Sequence, residues 1–211
     1  MRAIVTSLIA FAALALAGPI KAADEFDIEG LYRTISPQPT ADPKKVEVLE
    51  IFWYRCPHCN KFKPYFDKYA STRPNYVAVK RMPAVLRDGW IPQAKIFYVA
   101  EALGELERLH SSVFDAIHNE DKPMSSRADI KAFFVENGVK ADDFDAAFDS
   151  FSLDAQVRQA NAYTRHYGIT GVPAVIINGR YRTSGSLAGS FETVMTVIDV
   201  LVEKERKRMG L

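Results

Sequence analysis

The chain has 211 residues and a net charge of +1, and 48% of its residues are hydrophobic, enough for one substantial core or two small ones. Residues 1–22 carry Arg2 and Lys21 and no acid, so without them the net charge is about −1. That balance excludes the electrostatic footprint of a nucleic-acid or anionic-membrane binder.

The N-terminal residues 1–22 read as a signal peptide. Arg2 precedes the Ala/Leu-rich apolar run Ile4 to Leu16, and Ala15-Leu16-Ala17 and Ile20-Lys21-Ala22 both offer small-residue cleavage patterns. The run is short for a membrane span, and charges interrupt every later apolar stretch. A soluble exported protein is expected, in a compartment where disulfides form and persist.

Residues 24–45 are polar, with Pro37, Pro39 and Pro43, which suits an irregular lead-in with one short strand. Val46 to Tyr54 is nearly continuous apolar sequence, as in a strand covered on both faces. Its odd member is Glu50. A buried carboxylate is costly unless it is paired or protonated, so Glu50 needs a partner, with Lys80 of the next strand as the candidate, or a proton-handling task. The bland alternative puts it at a solvent-facing strand edge.

The chain's two cysteines follow at once, in Cys56-Pro57-His58-Cys59. Phe62, Tyr65, Phe66 and Tyr69 then fall on one face of a helix. Pro57 suits the first turn of that helix, and Pro64 lies inside it, where it should kink the chain. Tyr76 to Met82 reads as the next strand, giving a β-α-β unit with a parallel pair.

From about Pro92 to Tyr167 the apolar spacing is helical. Leu106, Leu109, Val113 and Ile117 make one face, and Phe144, Ala147, Phe148 and Phe151 another. Ser126 and Asp129 resemble a capping box, and Gly104 and Gly138 end two pieces. Four or five short helices are expected, as an insertion. Strand character returns in Ala174 to Ile177 and Tyr181 to Thr183, read as a hairpin with a two-residue Asn178-Gly179 turn. Pro173 stands at the first residue of that strand, at a bulge or in a cis turn, and on spacing alone it is left trans. A last helix has Phe191, Val194, Met195, Ile198, Leu201 and Val202 on one face, and Glu203 to Arg208 reads as its solvated end.

The cysteine pair carries the chemistry. A disulfide across two residues constrains the unfolded chain little, which argues against a merely structural staple. Cys56 sits where a helix N-terminus favours the thiolate, with His58 able to assist; the lesser alternative, disfavoured by its position between the cysteines, is an exposed histidine without a role. A thiolate pKa two units below neutral would favour the reduced form by about 2.7 kcal/mol, or about 60 mV. Cys59, one turn in, is expected to be shielded and to act as the resolving thiol. A zinc site would need two further ligands, and His110, His118 and His166 show no ligand pattern; no metal or cofactor is expected.

These residues resemble the DsbA family of periplasmic thiol:disulfide interchange proteins, within the thioredoxin superfamily. The resemblance covers roughly Lys45 to Arg208. Its marks are Val48-Leu49-Glu50 ahead of Cys56-Pro57-His58-Cys59, and Gly171-Val172-Pro173-Ala174 followed by Ile177-Asn178-Gly179. It implies an α/β thioredoxin-like fold over residues 23–88 and 168–211, with an inserted all-helical domain over 89–167. Cys56 would be the exposed nucleophile, Cys59 the resolving thiol, and Val172-Pro173 a cis-proline loop offering backbone groups to an extended substrate peptide. Glu50 and Lys80 would be a buried acid and its lysine partner. Lys63 and Arg55 depart from the common pattern and would make the active-site surface more positive.

The implied activity is a periplasmic dithiol oxidase that passes its disulfide to newly exported proteins, works as a monomer, and is reoxidised by a DsbB-like membrane protein. Two alternatives stand beside it. One is a disulfide isomerase or reductase, which the Pro57-His58 dipeptide and Val172 disfavour. The other is a peptide-binding chaperone with a structural disulfide.

Overall fold

A computed structural model describes residues 26–211; the expected signal peptide lies outside them. The strands are β1 (Arg33–Thr34), β2 (Val46–Phe52), β3 (Val77–Pro83), β4 (Ala174–Ile177) and β5 (Tyr181–Ser184). They form one mixed sheet in the order β1-β5-β4-β2-β3. β2 pairs in parallel with β3 and antiparallel with β4. Helix α1 (Pro57–Thr72) makes the crossover from β2 to β3, because a parallel pair cannot be joined by a tight turn.

All seven residues of β2 are buried, and alternate side chains serve two cores. Val46 and Val48 pack with Phe62 and Phe66 of α1 and with Val194, Ile198 and Leu201 of α8 (Phe191–Met209). Leu49 and Ile51 belong to the second core, built largely from the helices between β3 and β4. Those are α2 (Ile91–Ala102), α3 (Leu106–His118), α4 (Arg127–Glu136), α5 (Ala141–Phe148) and α6 (Phe151–His166). The short α7 (Gly185–Ala188) precedes α8. The fold is thus thioredoxin-like α/β with five helices inserted. Ser126 and Asp129 form the expected capping box, which satisfies two orphan donors reciprocally.

Three local expectations are corrected. Phe148 and Phe151 do not share a helix: α5 ends at Phe148, and Ser150 caps α6 by accepting a hydrogen bond from the Leu153 amide. Phe151 is left 82% exposed. The hairpin connection has three residues, since Ile177 pairs with Tyr181. Asn178 and Gly179 both have positive φ, and the Arg180 amide closes the turn onto the Ile177 carbonyl. Third, the charged end of α8 is not simply solvated. Glu205 is fully buried and accepts hydrogen bonds from Asn178 Nδ2 (2.6 Å) and Arg208 Nη2 (2.7 Å). Burial pushes this carboxyl up, but Arg208 and Asn178 outweigh it and hold it below its ordinary value.

Candidate active site

Cys56 is the N-cap of α1 and Pro57 its first residue. Proline costs nothing there, because the first-turn N–H groups have no intrahelical acceptor. The amides of His58 and Cys59 are directed at the Cys56 sulfur instead. Both cysteines are present as free thiols. Cys59 is fully buried beneath Cys56, which keeps 8% exposure. The expected order of accessibility is present, although Cys56 is itself nearly buried rather than standing free on the surface. His58 is exposed.

The two sulfurs titrate in opposite directions. Cys56 is lowered to about 6, chiefly because the Cys59 thiol donates to it; the backbone amides and the charge of His58 add to this, against a desolvation cost. Cys59 is pushed well above its ordinary value by burial, and its role as donor to Cys56 and the nearby charge of Glu50 push it the same way. One sulfur is therefore a stable thiolate at neutral pH while the other stays protonated.

Val172-Pro173 enters the site from the far end of the chain. The peptide bond between them is cis. The Val172 carbonyl lies 3.4 Å from Cys56 Sγ and can accept a hydrogen bond from it only while the thiol is protonated. Beside it runs a cleft of about 710 Å³ lined by His58, Thr170, Val172, Pro173, Leu187 and Phe191.

Glu50 is 3% exposed and faces α1, which removes the solvent-edge alternative. Its partner is Arg81, not Lys80. The parallel register sets Glu50 beside Arg81 and Leu49 beside Lys80. Side chains alternate along a strand, so a one-residue step puts Lys80 on the opposite face, where it is exposed. Arg81 Nε donates to Glu50 Oε2 at 3.1 Å, and Nη2 donates to Asp67 Oδ1 at 2.6 Å. Burial raises Glu50 to about 7 against the opposing pull of Arg81. Lys63 is half-buried and bound to Asp67 at 2.6 Å, so its charge is neutralised within α1 rather than added to the surface. Arg55 is exposed and donates to the Pro123 carbonyl at 2.7 Å.

Sequence reasoning missed the support of the turn before Cys56. Trp53 stacks on Trp90 with centroids 4.1 Å apart and donates to Gln93 Oε1 at 3.1 Å. Tyr54 Oη meets His110 Nδ1 at 2.9 Å, and His118 Nε2 meets the Tyr54 carbonyl at 2.8 Å. The spacing of His110 and His118 along α3 was the only available signal, and it says nothing about which element they face. Among the described residues no cluster of His, Cys, Asp or Glu could hold a metal ion.

A DSBA-like thioredoxin domain model matches residues 47–194. The chain belongs to the DsbA family. It is 34% identical over 204 residues to the thiol:disulfide interchange protein DsbA of Pseudomonas aeruginosa, covering 96% of each chain. Against the DsbA of Azotobacter vinelandii it is 36% identical over 168 residues, 80% of this chain and 78% of that one. The crystal structure of Pseudomonas aeruginosa DsbA superposes with a TM-score of 0.82 at 33% identity, covering 87% of this chain and 96% of that one. The DsbA of Xylella fastidiosa gives 0.78 at 31% identity, over 83% and 95% of the two chains. As a DsbA-family member, the chain is a protein thiol:disulfide oxidoreductase that acts on substrate proteins. No helix among the described residues is long and apolar enough to cross a membrane.

Proposed function

We propose that Cys56 and Cys59 are the redox pair of a periplasmic dithiol oxidase, with Val172-Pro173 as the substrate-binding loop. The observation that carries this reading is the cysteine pair at the start of α1, with Cys59 buried beneath Cys56 and the Val172 carbonyl 3.4 Å from Cys56 Sγ; the opposite directions in which the two sulfurs are pushed support it.

In the oxidised protein a substrate thiolate attacks Cys56 Sγ. The new S–S bond joins substrate to Cys56, the Cys56–Cys59 bond breaks, and Cys59 leaves as a thiolate. Its high proton affinity demands a proton, and Glu50 is the buried store that supplies one. A second substrate thiolate then attacks the substrate sulfur of the mixed disulfide and expels Cys56. The substrate is oxidised by two electrons and the protein is reduced by two. Cys56 leaves readily because its thiolate is stable, and a low leaving-group pKa speeds exchange. His58 and Pro57 contribute at the helix start, the first by its charge and the second by its fixed φ.

An extended substrate segment lies along the cleft beside Val172, using backbone contacts of the strand-addition kind. The thioredoxin-like catalytic domain is assigned to residues 23–88 and 168–211 and the inserted domain to 89–167, with residues 1–22 directing export. The protein works as a monomer without a cofactor, and a DsbB-like membrane protein reoxidises it.

Trapping tests this reading. The Cys59→Ser variant, mixed with a reduced unfolded protein and an oxidant, should accumulate a mixed disulfide at Cys56, and Cys56→Ser should accumulate none. A chaperone with a structural disulfide would suppress aggregation equally well in the Cys56→Ser/Cys59→Ser double variant, whereas the oxidase loses all transfer.

A further inference from the structure

The Arg81 guanidinium is divided between two carboxylates. Its contact with Asp67 (2.6 Å) is shorter than its contact with Glu50 (3.1 Å), and its carbon lies 5.3 Å from the centre of the Phe66 ring. Three anchors on two elements therefore fix its orientation. Asp67 uses its other oxygen for Lys63, so the order is Lys63–Asp67–Arg81–Glu50, from the flank of α1 into the core. The inner end is dry and the outer end is not: the Glu50 side chain is 4% exposed and that of Asp67 39%. Asp67 and Arg81 open onto a cleft of about 350 Å³, shared with Glu107 and His110.

We infer that Asp67 is a positioning residue for the disulfide-transfer reaction: by drawing Arg81 partly away, it keeps Glu50 able to take up and release a proton near neutral pH. The inference rests on the reading that Glu50 serves the departure of Cys59. A carboxylate with undivided possession of an arginine ionises well below pH 7 and makes a poor proton store. Efficient proton transfer at neutral pH wants a group that titrates there.

The other groups facing Glu50 do not replace Asp67. Burial pushes His110 down to about 3, so it is neutral, and burial likewise keeps Tyr54 protonated. Cys59 is protonated in the reduced state. Burial is the largest upward push on Glu50, Arg81 and Lys63 are the cations that draw it down, and Asp67 is the nearby anion that adds to the upward push.

The opposite signs of Asp67 and Lys63 provide the test. The reduced protein is labelled with carboxyl-13C glutamate, Glu50 is assigned with Glu50→Gln, and its titration is followed by NMR. Asp67→Asn, which frees Arg81 for Glu50, should lower the midpoint by about one unit or more. Lys63→Met, which leaves Asp67 wholly to Arg81, should raise it. The pH profile of single-turnover transfer to a reduced peptide should move with the titration. An unmoved or raised midpoint in Asp67→Asn, a lowered one in Lys63→Met, or a moved titration with an unmoved transfer profile would each overturn the inference. If Asp67→Asn does not fold, Asp67→Ser, which likewise removes the anion that holds Arg81, decides alone: a lowered midpoint supports the inference, and no change or a rise refutes it. Absence of transfer by the wild-type protein would instead refute the oxidase reading, and the two failures are told apart in the same samples.

Discussion

Cys56 Sγ and the Val172 carbonyl oxygen lie 3.4 Å apart although 116 positions separate them in the chain. In the proposed reading, a peptide bound to Cys56 passes this main-chain acceptor. With the amides of His58 and Cys59 on the other side of the sulfur, the nucleophile is framed by backbone, and the framing is largely indifferent to the substrate's side chains. For the proposed oxidase this geometry predicts weak sequence selectivity.

The Cys56 thiolate should be visible directly. Absorbance at the thiolate band in reduced protein is expected to rise with a midpoint of about 6, and Cys56→Ser should abolish that step. The linkage has a definite sign. A folded-state pKa of about 6 below the ordinary 9.0 means that the unfolded chain binds more protons between those values. The stability gained is fully present above pH 9 and is lost as pH falls through 6. A disulfide has no thiol to titrate, so the stability difference between reduced and oxidised protein should widen from pH 6 to pH 9. Paired urea titrations measure it, and a difference independent of pH would refute the assignment.

Glu50 acts with the opposite sign. Its carboxyl is raised from 4.5 to about 7, so the folded state binds the extra proton, and ionisation above pH 7 costs stability that is intact below pH 4.5. Glu50→Gln should therefore be more stable than wild type at pH 8, by up to about 3 kcal/mol, with the advantage vanishing toward pH 4.5. The same variant should form its mixed disulfide more slowly, because no buried acid protonates Cys59 as it leaves. Urea unfolding at pH 4.5 and pH 8 checks the first expectation and stopped-flow quenching the second.

The register of β2 and β3 separates two adjacent cations. Lys80→Ala should change stability by less than about 0.5 kcal/mol, as exposed charges do. Arg81→Ala should cost about 3 kcal/mol or more, because it strands the buried Glu50 carboxyl. Equal effects of the two substitutions would show that the strands pair in another register.

Residues of like type explain why this pair was not legible in sequence. Lys80 and Arg81 are both long cations, and only the parallel register, set by α1 and the turn after it, decides which one faces Glu50. Local signals fared better. The Cys-Pro-His-Cys helix start, the Ser126–Asp129 capping box and the apolar face of α8 are each written within one or two helical turns, and each is present. Glu205 was misread for the opposite reason. A charged helix end normally faces water, and its burial depends on Asn178, 27 positions earlier, donating from the hairpin turn. Tertiary contacts of that kind leave no periodic trace.

Gly179 sets the geometry of that hairpin. Its φ is +62°, and a Cβ there would collide with the Gln38 carbonyl. Gly179→Ala should cost more than the 1–2 kcal/mol of a left-handed alanine alone and should loosen β4, which begins at the residue after Pro173. Thermal denaturation of the oxidised protein measures the loss; an unchanged midpoint would mean that the lead-in segment does not pack against the turn.

The most direct test of the oxidase reading is the redox equilibrium of the protein, freed of residues 1–22, against a graded glutathione couple. Fluorescence of Trp53, whose carbonyl accepts from the Cys56 amide, and of its stacking partner Trp90 is expected to follow the state of the cysteine pair. A stabilised Cys56 thiolate predicts a potential well above that of the glutathione pool, with the reduced form the more resistant to denaturant. A potential at or below the pool, with the disulfide form the more stable, would contradict the oxidase reading and point to a reductase or isomerase kept reduced by another donor.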